Sequence, residues 1–170
     1  MRQAILTLVT LLVMAQTVLA AVLEDGDYRI YYGSHRAPRN NRYFTGEFGG
    51  NVQTFPQQNS TAQIWRLRNN KKDQVTIESV GSPGNYMGIN TGPRPGAYLG
   101  VLQTPVRYVL TKKTGGGPPR YEIAYYKKVK GKTLIVGVNN VDQEEPYYVE
   151  YIVQGTEGRI SSFKFARVDV

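Results

Sequence analysis

The sequence predicts an all-β fold, and three observations carry that prediction. Beyond the N-terminal segment, no stretch keeps apolar residues at i, i+3, i+4 and i+7 for more than a turn or two. Period-two runs rich in Tyr, Val and Ile fill the chain instead. Clusters of Gly, Pro and Asn interrupt those runs about every ten residues, the punctuation of a sandwich or barrel. Composition agrees: the 170 residues include 18 Gly, 9 Pro and 13 Tyr, with 41% hydrophobic and 20% charged residues. Such a chain is neither disordered nor a membrane bundle.

The first segment reads differently from the rest. Arg2 precedes an apolar stretch from Ala4 to Ala15, broken only by Thr7 and Thr10. Val18-Leu19-Ala20-Ala21 then offers a cleavage point after Ala20 or Ala21. That order predicts a secretory signal peptide over residues 1–20 and a secreted, extracellular protein. A membrane anchor fits less well, because the apolar core is short for a ~20-residue span and is interrupted by Gln16 and Thr17. Residues 21–170 then form a single domain of a size suited to one core. The whole chain carries 21 Lys+Arg against 13 Asp+Glu, a net charge of +8. Removing Arg2 with the leader leaves 20 − 13 = +7.

The strand candidates recur in a fixed order. An apolar-x-Ile pattern opens each unit at Tyr28-Arg29-Ile30, Val75-Thr76-Ile77 and Tyr121-Glu122-Ile123. These begin 47 and 46 residues apart (75 − 28 and 121 − 75). A glycine strand follows: Thr45-Gly46-Glu47-Phe48, Met87-Gly88-Ile89-Asn90 and Val136-Gly137-Val138-Asn139. A third strand reads Val52-Gln53-Thr54-Phe55, Tyr98-Leu99-Gly100-Val101 and Tyr148-Val149-Glu150-Tyr151. An aromatic-x-apolar pattern closes each unit at Trp65-Arg66-Leu67, Tyr108-Val109-Leu110 and Phe163-Lys164-Phe165. One four-stranded unit cannot bury its apolar face alone, so three close around a shared core and remove their exposed edges together. About twelve short strands in three four-stranded repeats predict a β-trefoil.

The residue inventory excludes much chemistry. With no Cys, neither disulfides, Fe–S clusters nor thiolate zinc sites can form. The single His35 has no second His to share a metal, and Ser-His-Asp catalysis would rest on it alone. Lys130-Gly131-Lys132-Thr133 resembles the end of a phosphate loop, but the glycine required five positions before Gly131 is Tyr126. No general acid/base constellation stands out, the acidic run Asp142-Gln143-Glu144-Glu145 included. No enzymatic activity, metal or cofactor is therefore expected.

Function is expected on the connections. The segment Gly33 to Tyr43 carries Arg36, Arg39 and Arg42 around Pro38, with the turn formers Asn40 and Asn41. A stiffened loop presenting an exposed arginine suits insertion into a protease pocket with an acidic base. Arg94, between Pro93 and Pro95, is the second choice. Lys112 to Arg120 links units two and three, but its three consecutive glycines make it too floppy for that role. Asn59-Ser60-Thr61 is an N-glycosylation sequon at Asn59 in a polar stretch. Gln63-Ile64-Trp65 matches the Gln-x-Trp signature of ricin-B-type trefoil lectins once only, so Trp65 is expected in the core with Gln63 as its structural partner.

The opening Gly26-Asp27-Tyr28-Arg29-Ile30 is similar to the Gly-x-Tyr-x-Ile start of fungal β-trefoil protease inhibitors. Trp65, the Pro105-Val106-Arg107-Tyr108 entry and the terminal Phe163-Lys164-Phe165 fit the same pattern. The chain resembles the serine protease inhibitors of mushrooms, and more distantly the mycocypins, over Leu23 to Val168. That resemblance implies a reversible inhibitor acting through a surface loop on a serine protease of trypsin-like specificity. The signal peptide and the high positive charge depart from the family pattern, and no reactive residue carries over onto a matching position. The alternative is a carbohydrate-binding module for neutral or anionic glycans, motivated by the surplus tyrosines and the +7 balance. A monomer is expected, with neither nucleic acid nor membrane as partner.

Overall fold

In the computed structural model, which describes residues 23–33, 40–70, 73–115, 117–138 and 147–169, twelve strands follow one another. The first unit holds β1 (Gly26–Tyr32), β2 (Arg42–Thr45), β3 (Gln53–Phe55) and β4 (Trp65–Asn69). The second holds β5 (Val75–Ser79), β6 (Tyr86–Gly88), β7 (Gly100–Leu102) and β8 (Arg107–Lys113). The third holds β9 (Arg120–Tyr125), β10 (Leu134–Val138), β11 (Tyr147–Val153) and β12 (Lys164–Arg167). Period-two sequence becomes period-two burial: in β5, Val75, Ile77 and Ser79 are buried while Thr76 and Glu78 are half-buried.

Six strands close a barrel. β1 pairs with β12 and β4, β4 with β5, β5 with β8, and β8 with β9. The circle completes where Tyr121 and Phe163 exchange backbone hydrogen bonds of 2.7 and 2.9 Å. The hairpins β2–β3, β6–β7 and β10–β11 cap one end. At the centre of the cap the Val52 N–H donates to Leu99 (2.7 Å), the Leu99 N–H to Val149 (2.8 Å), and the Val149 N–H to Val52 (2.9 Å). This closed ring of three bonds marks a pseudo-threefold axis. All three side chains are fully buried. The architecture is the predicted β-trefoil.

The closing aromatics fill the barrel at equivalent positions. Trp65, Tyr108 and Phe163 are all fully buried. The Trp65 indole N–H donates to the Phe44 carbonyl (3.0 Å), and the Tyr108 hydroxyl donates to Met87, the position equivalent to Phe44 (3.1 Å). Phe163 has no donor and instead meets the Phe44 ring edge-on at 4.8 Å. The Tyr151 hydroxyl donates to Tyr108 (3.2 Å), and burial drives both phenols well above their usual pKa.

The glycine strand needs one correction. Gly88 pairs with Gly100 and Gly137 with Glu150, whereas Thr45, not Gly46, pairs with the equivalent Gln53. The expected match in unit one is therefore one residue late, and Gly46 to Phe48 leave the sheet as a turn. Separate constraints keep each glycine small. A Cβ on Gly46 would stand 2.6 Å from Val101 and 2.7 Å from the Trp65 ring, and one on Gly88 would stand 2.5 Å from Val106. In unit two the third strand likewise begins at Gly100 instead of Tyr98. The leader, His35 and the acidic run at 142–145 lie outside the described residues.

Candidate functional site: the rim of the hairpin cap

The turn Gly46–Asn51 projects from the cap and is stitched to its neighbour. Gly49, with φ of 75°, turns the chain, and the Gly50 N–H donates to the Glu47 carbonyl (3.0 Å). The Gly49 N–H then donates to Val101 (3.2 Å), and the Val101 N–H returns a bond to Gly50 (3.1 Å). Gln63 braces the turn from beneath. Fully buried, its amide donates to the Thr45 hydroxyl (3.0 Å) and the Pro56 carbonyl (2.9 Å) and accepts from the Gln58 N–H (2.7 Å). The single Gln-x-Trp is thus structural, with Gln63 holding the walls of a surface depression and Trp65 in the core.

That depression, about 450 Å³, is lined by Thr45, Glu47, Asn51, Gln53, Gln58 and Tyr148 among others. A second, about 410 Å³, lies on the other side of the same turn and includes Asn51, Asn90, Arg94, Tyr98, Gly100 and Leu102. The threefold axis relates them. Glu47 is equivalent to Asn90, Gln53 to Gly100, Phe55 to Leu102, and Asn51 to both Tyr98 and Tyr148, because Asn51 bridges Gly100, Tyr98 bridges Glu150 and Tyr148 pairs with Gln53. The same backbone hollow therefore occurs twice with different side chains.

Aromatic surface borders both hollows. The Tyr98 and Tyr148 rings lie 4.9 Å apart at 33°, one lining each depression. Tyr98 is 41% exposed and Phe48, on the intervening turn, 58% exposed. Behind Tyr98, burial raises the pKa of the Glu150 carboxyl, and Arg159 at 3.6 Å opposes the rise. Exposed aromatic faces beside amides, one carboxylate and one guanidinium are equipped to hold a hydroxyl-rich ligand. Among the described residues, no three His, Asp or Glu side chains come together as metal ligands.

Of the residues singled out in sequence, Arg94 reaches this site. It is exposed on a loop anchored by the Gly96 N–H on Tyr151 (2.7 Å) and the Ala97 N–H on Arg94 itself (3.3 Å). Asn40 is exposed, but Arg42 begins β2, paired with Tyr32 and half-buried, so it is a strand residue and not part of a free loop. Arg36, Pro38 and Arg39 lie outside the described residues. Asn59 is exposed, and the hydroxyl of Ser60 in its sequon accepts from the Ala62 N–H (3.2 Å) to start a short 3-10 turn. Sequence reasoning missed Glu47, Phe48, Asn51, Gln58, Tyr98 and Tyr148 as a site. The available signal was a tyrosine just before the central strand residue in two of three repeats.

No protein-family model matches the sequence, and no curated protein matches it. Solved structures do match. The ricin B-like lectin of Macrolepiota procera, solved in complex with lactose, superposes with a TM-score of 0.66 at 16% identity, over 86% of this chain and 99% of the lectin. The Rhizoctonia solani agglutinin gives 0.62 at 17% identity, over 86% and 97%. ThreeFoil, a designed threefold-symmetric protein, gives 0.65 at 15% identity, over 85% and 100%. At such identities the likeness is one of architecture, and that architecture is the β-trefoil.

Proposed function

We propose that the protein is a non-enzymatic carbohydrate-binding trefoil whose cap takes hydroxyl-rich saccharides in its two rim depressions. One observation carries the reading: two equivalent hollows flank a pair of tyrosine rings, and each offers amide side chains within the same concave wall. Ring faces pack on the C–H faces of sugars while amides and carboxylates receive the hydroxyls. The Macrolepiota procera lectin's lactose complex and the fungal agglutinin support this reading through their shared fold. A glycan array followed by titration calorimetry tests it. The wild-type protein is expected to retain specific glycans, and Tyr98→Ala with Tyr148→Ala to weaken them about tenfold or more. An array without hits overturns the reading.

A second reading, reversible inhibition of trypsin-like serine proteases, rests on Arg94. It stands exposed between two prolines on a loop tied to the cap, a stiff mount for an arginine. Arg36, Pro38, Arg39 and Asn40 complete the candidate contact set of that reading, with Arg42 at its edge as the first residue of β2. Trypsin inhibition lost on Arg94→Ala supports it, and an uninhibited protease panel ends it. Both readings include export through residues 1–20 and glycosylation of Asn59. The intact mass of the exported protein, with and without glycosidase, tests each.

A further inference from the structure

A charged surface lies on the outer wall of the barrel and on the β9–β10 connection. Register places Arg68 of β4 opposite Thr76 of β5, and Thr76 opposite Arg107 of β8. The Arg107 carbonyl accepts from the Tyr126 N–H (3.3 Å), so the next position in the row opens the β9–β10 connection. Strands lie about 4.8 Å apart, so the row crosses about 15 Å of barrel wall. It continues into Lys127, Lys128, Lys130 and Lys132, all exposed, as are Arg68 and Arg107.

Two features separate this stripe from an ordinary solvated face. Its connection is rigid: Val129 and Lys132 exchange backbone bonds of 2.9 and 3.0 Å across a two-residue turn. Lys130 and Gly131 occupy that turn with φ of 48° and 76°, so a lysine sits in a conformation that favours Gly or Asn. The stripe is also poor in carboxylates: none of its six cations forms an ion pair among the described residues, and Arg68 acts on Asp27 only at longer range. The neighbouring carboxylates are already engaged. Asp27 takes both guanidinium bonds of Arg66 (2.7 and 2.9 Å), and Glu78 accepts from the Gly84 N–H (2.8 Å).

We propose that this stripe binds a linear sulfated polysaccharide. Six cations spread over one row of the wall and the turn that continues it match a chain that carries anions at intervals, and the guanidiniums pair sulfate in the way they pair phosphate. The stripe has no apolar wedge for a membrane, because the large exposed hydrophobics among the described residues, Phe48 and Tyr98, are both on the cap. It also has no open platform for bases. The Tyr126 ring meets Tyr125 edge-on at 5.0 Å and lies under the Lys127 ammonium, also at 5.0 Å.

Heparin is the probe, titrated calorimetrically into the purified protein at about 0.15 M salt, where only charges within roughly 8 Å act strongly together. Arg107→Gln, Lys128→Gln and Lys132→Gln together should weaken heparin at least about tenfold. Lys130 is left in place to spare the turn. Lys112→Gln, Arg120→Gln and Arg167→Gln remove the same net charge elsewhere and should cost much less. Equal losses in the two triple variants overturn the proposal, as does wild-type binding that vanishes at this salt. Equal or tighter binding to phosphatidylserine vesicles or duplex DNA overturns it in favour of those partners. The Tyr98→Ala, Tyr148→Ala variant should keep its heparin affinity, so failure of the cap reading and failure of this one are distinguishable.

Discussion

Tyr108→Phe removes one oxygen atom from the fully buried centre of the barrel. That oxygen donates to the Met87 carbonyl at 3.1 Å and accepts from the Tyr151 hydroxyl at 3.2 Å, so its loss orphans two buried groups. Leaving a buried polar group unpaired costs about 1–3 kcal/mol, the carbonyl at the lower end because it keeps a second lone pair. The expected destabilisation is about 2–4 kcal/mol, a drop of about 5–15 °C in melting temperature for a domain of this size. Tyr151→Phe alone should cost about 1 kcal/mol, because Tyr108 retains its bond to Met87. The double substitution removes the stranded Tyr151 hydroxyl, so it should cost less than the sum of the two by about 1–2 kcal/mol. Urea unfolding followed through the single Trp65 measures all three variants, with an unchanged m-value as the check that only stability moved. A Tyr108→Phe cost under about 0.5 kcal/mol, or strict additivity in the cycle, would refute the reasoning.

Two further perturbations probe the cap. Gly88→Ala places a Cβ 2.5 Å from the Val106 methyl and 3.2 Å from its Cβ, a stiff β-branched neighbour, and should cost about 1–3 kcal/mol. Gly137→Ala meets Ile152 Cδ1 at 2.6 Å and Cγ1 at 2.9 Å, again a β-branched neighbour, so thermal melts should show a cost of the same order. Burial raises the Glu150 pKa, so its share of stability is complete below the unfolded value near about 4.3 and falls as pH rises through the folded value. Glu150→Gln should therefore gain on wild type as pH rises from about 4.3 towards neutrality. A melting difference that stays flat over that window counts against the assignment.

The barrel was legible because its constraints repeat within the chain. Ile30, Ile77 and Ile123 all face inward and are fully buried, and the aromatics that close each unit fall at equivalent positions. The hairpins were less legible. Nothing local distinguishes Gly46 from Gly88 and Gly137, and only the pairing of Thr45 with Gln53 reveals the one-residue slip. The rim was the least legible. Tyr98 and Tyr148 are two of 13 tyrosines, and each belongs to a different repeat. The bonding of the cap around its axis, Leu99 to Val149 and Tyr98 beside Glu150, brings their rings to 4.9 Å. Arg94 could be read as exposed, yet its place in the wall of a depression depends on the turn contributed by unit one.

The three repeats agree inside and differ at the rim, and the physical reason is burial. The axis positions Val52, Leu99 and Val149 must each supply an apolar side chain and one bond of the ring, so their chemistry is confined. One step along each strand stand Asn51, Tyr98 and Tyr148, which face the hollows, where exchanges cost stability little. Two depressions of one backbone shape consequently carry different chemistry, Glu47, Gln53 and Gln58 in one and Asn90 and Arg94 in the other. The cationic stripe follows the same logic on the barrel wall. Thr76 and Arg107 face outward at positions whose sequence neighbours Val75, Ile77 and Tyr108 build the core. A scaffold held by its interior can thus carry the proposed saccharide rim and the proposed polyanion wall, each expected to be lost by substitution without loss of the other.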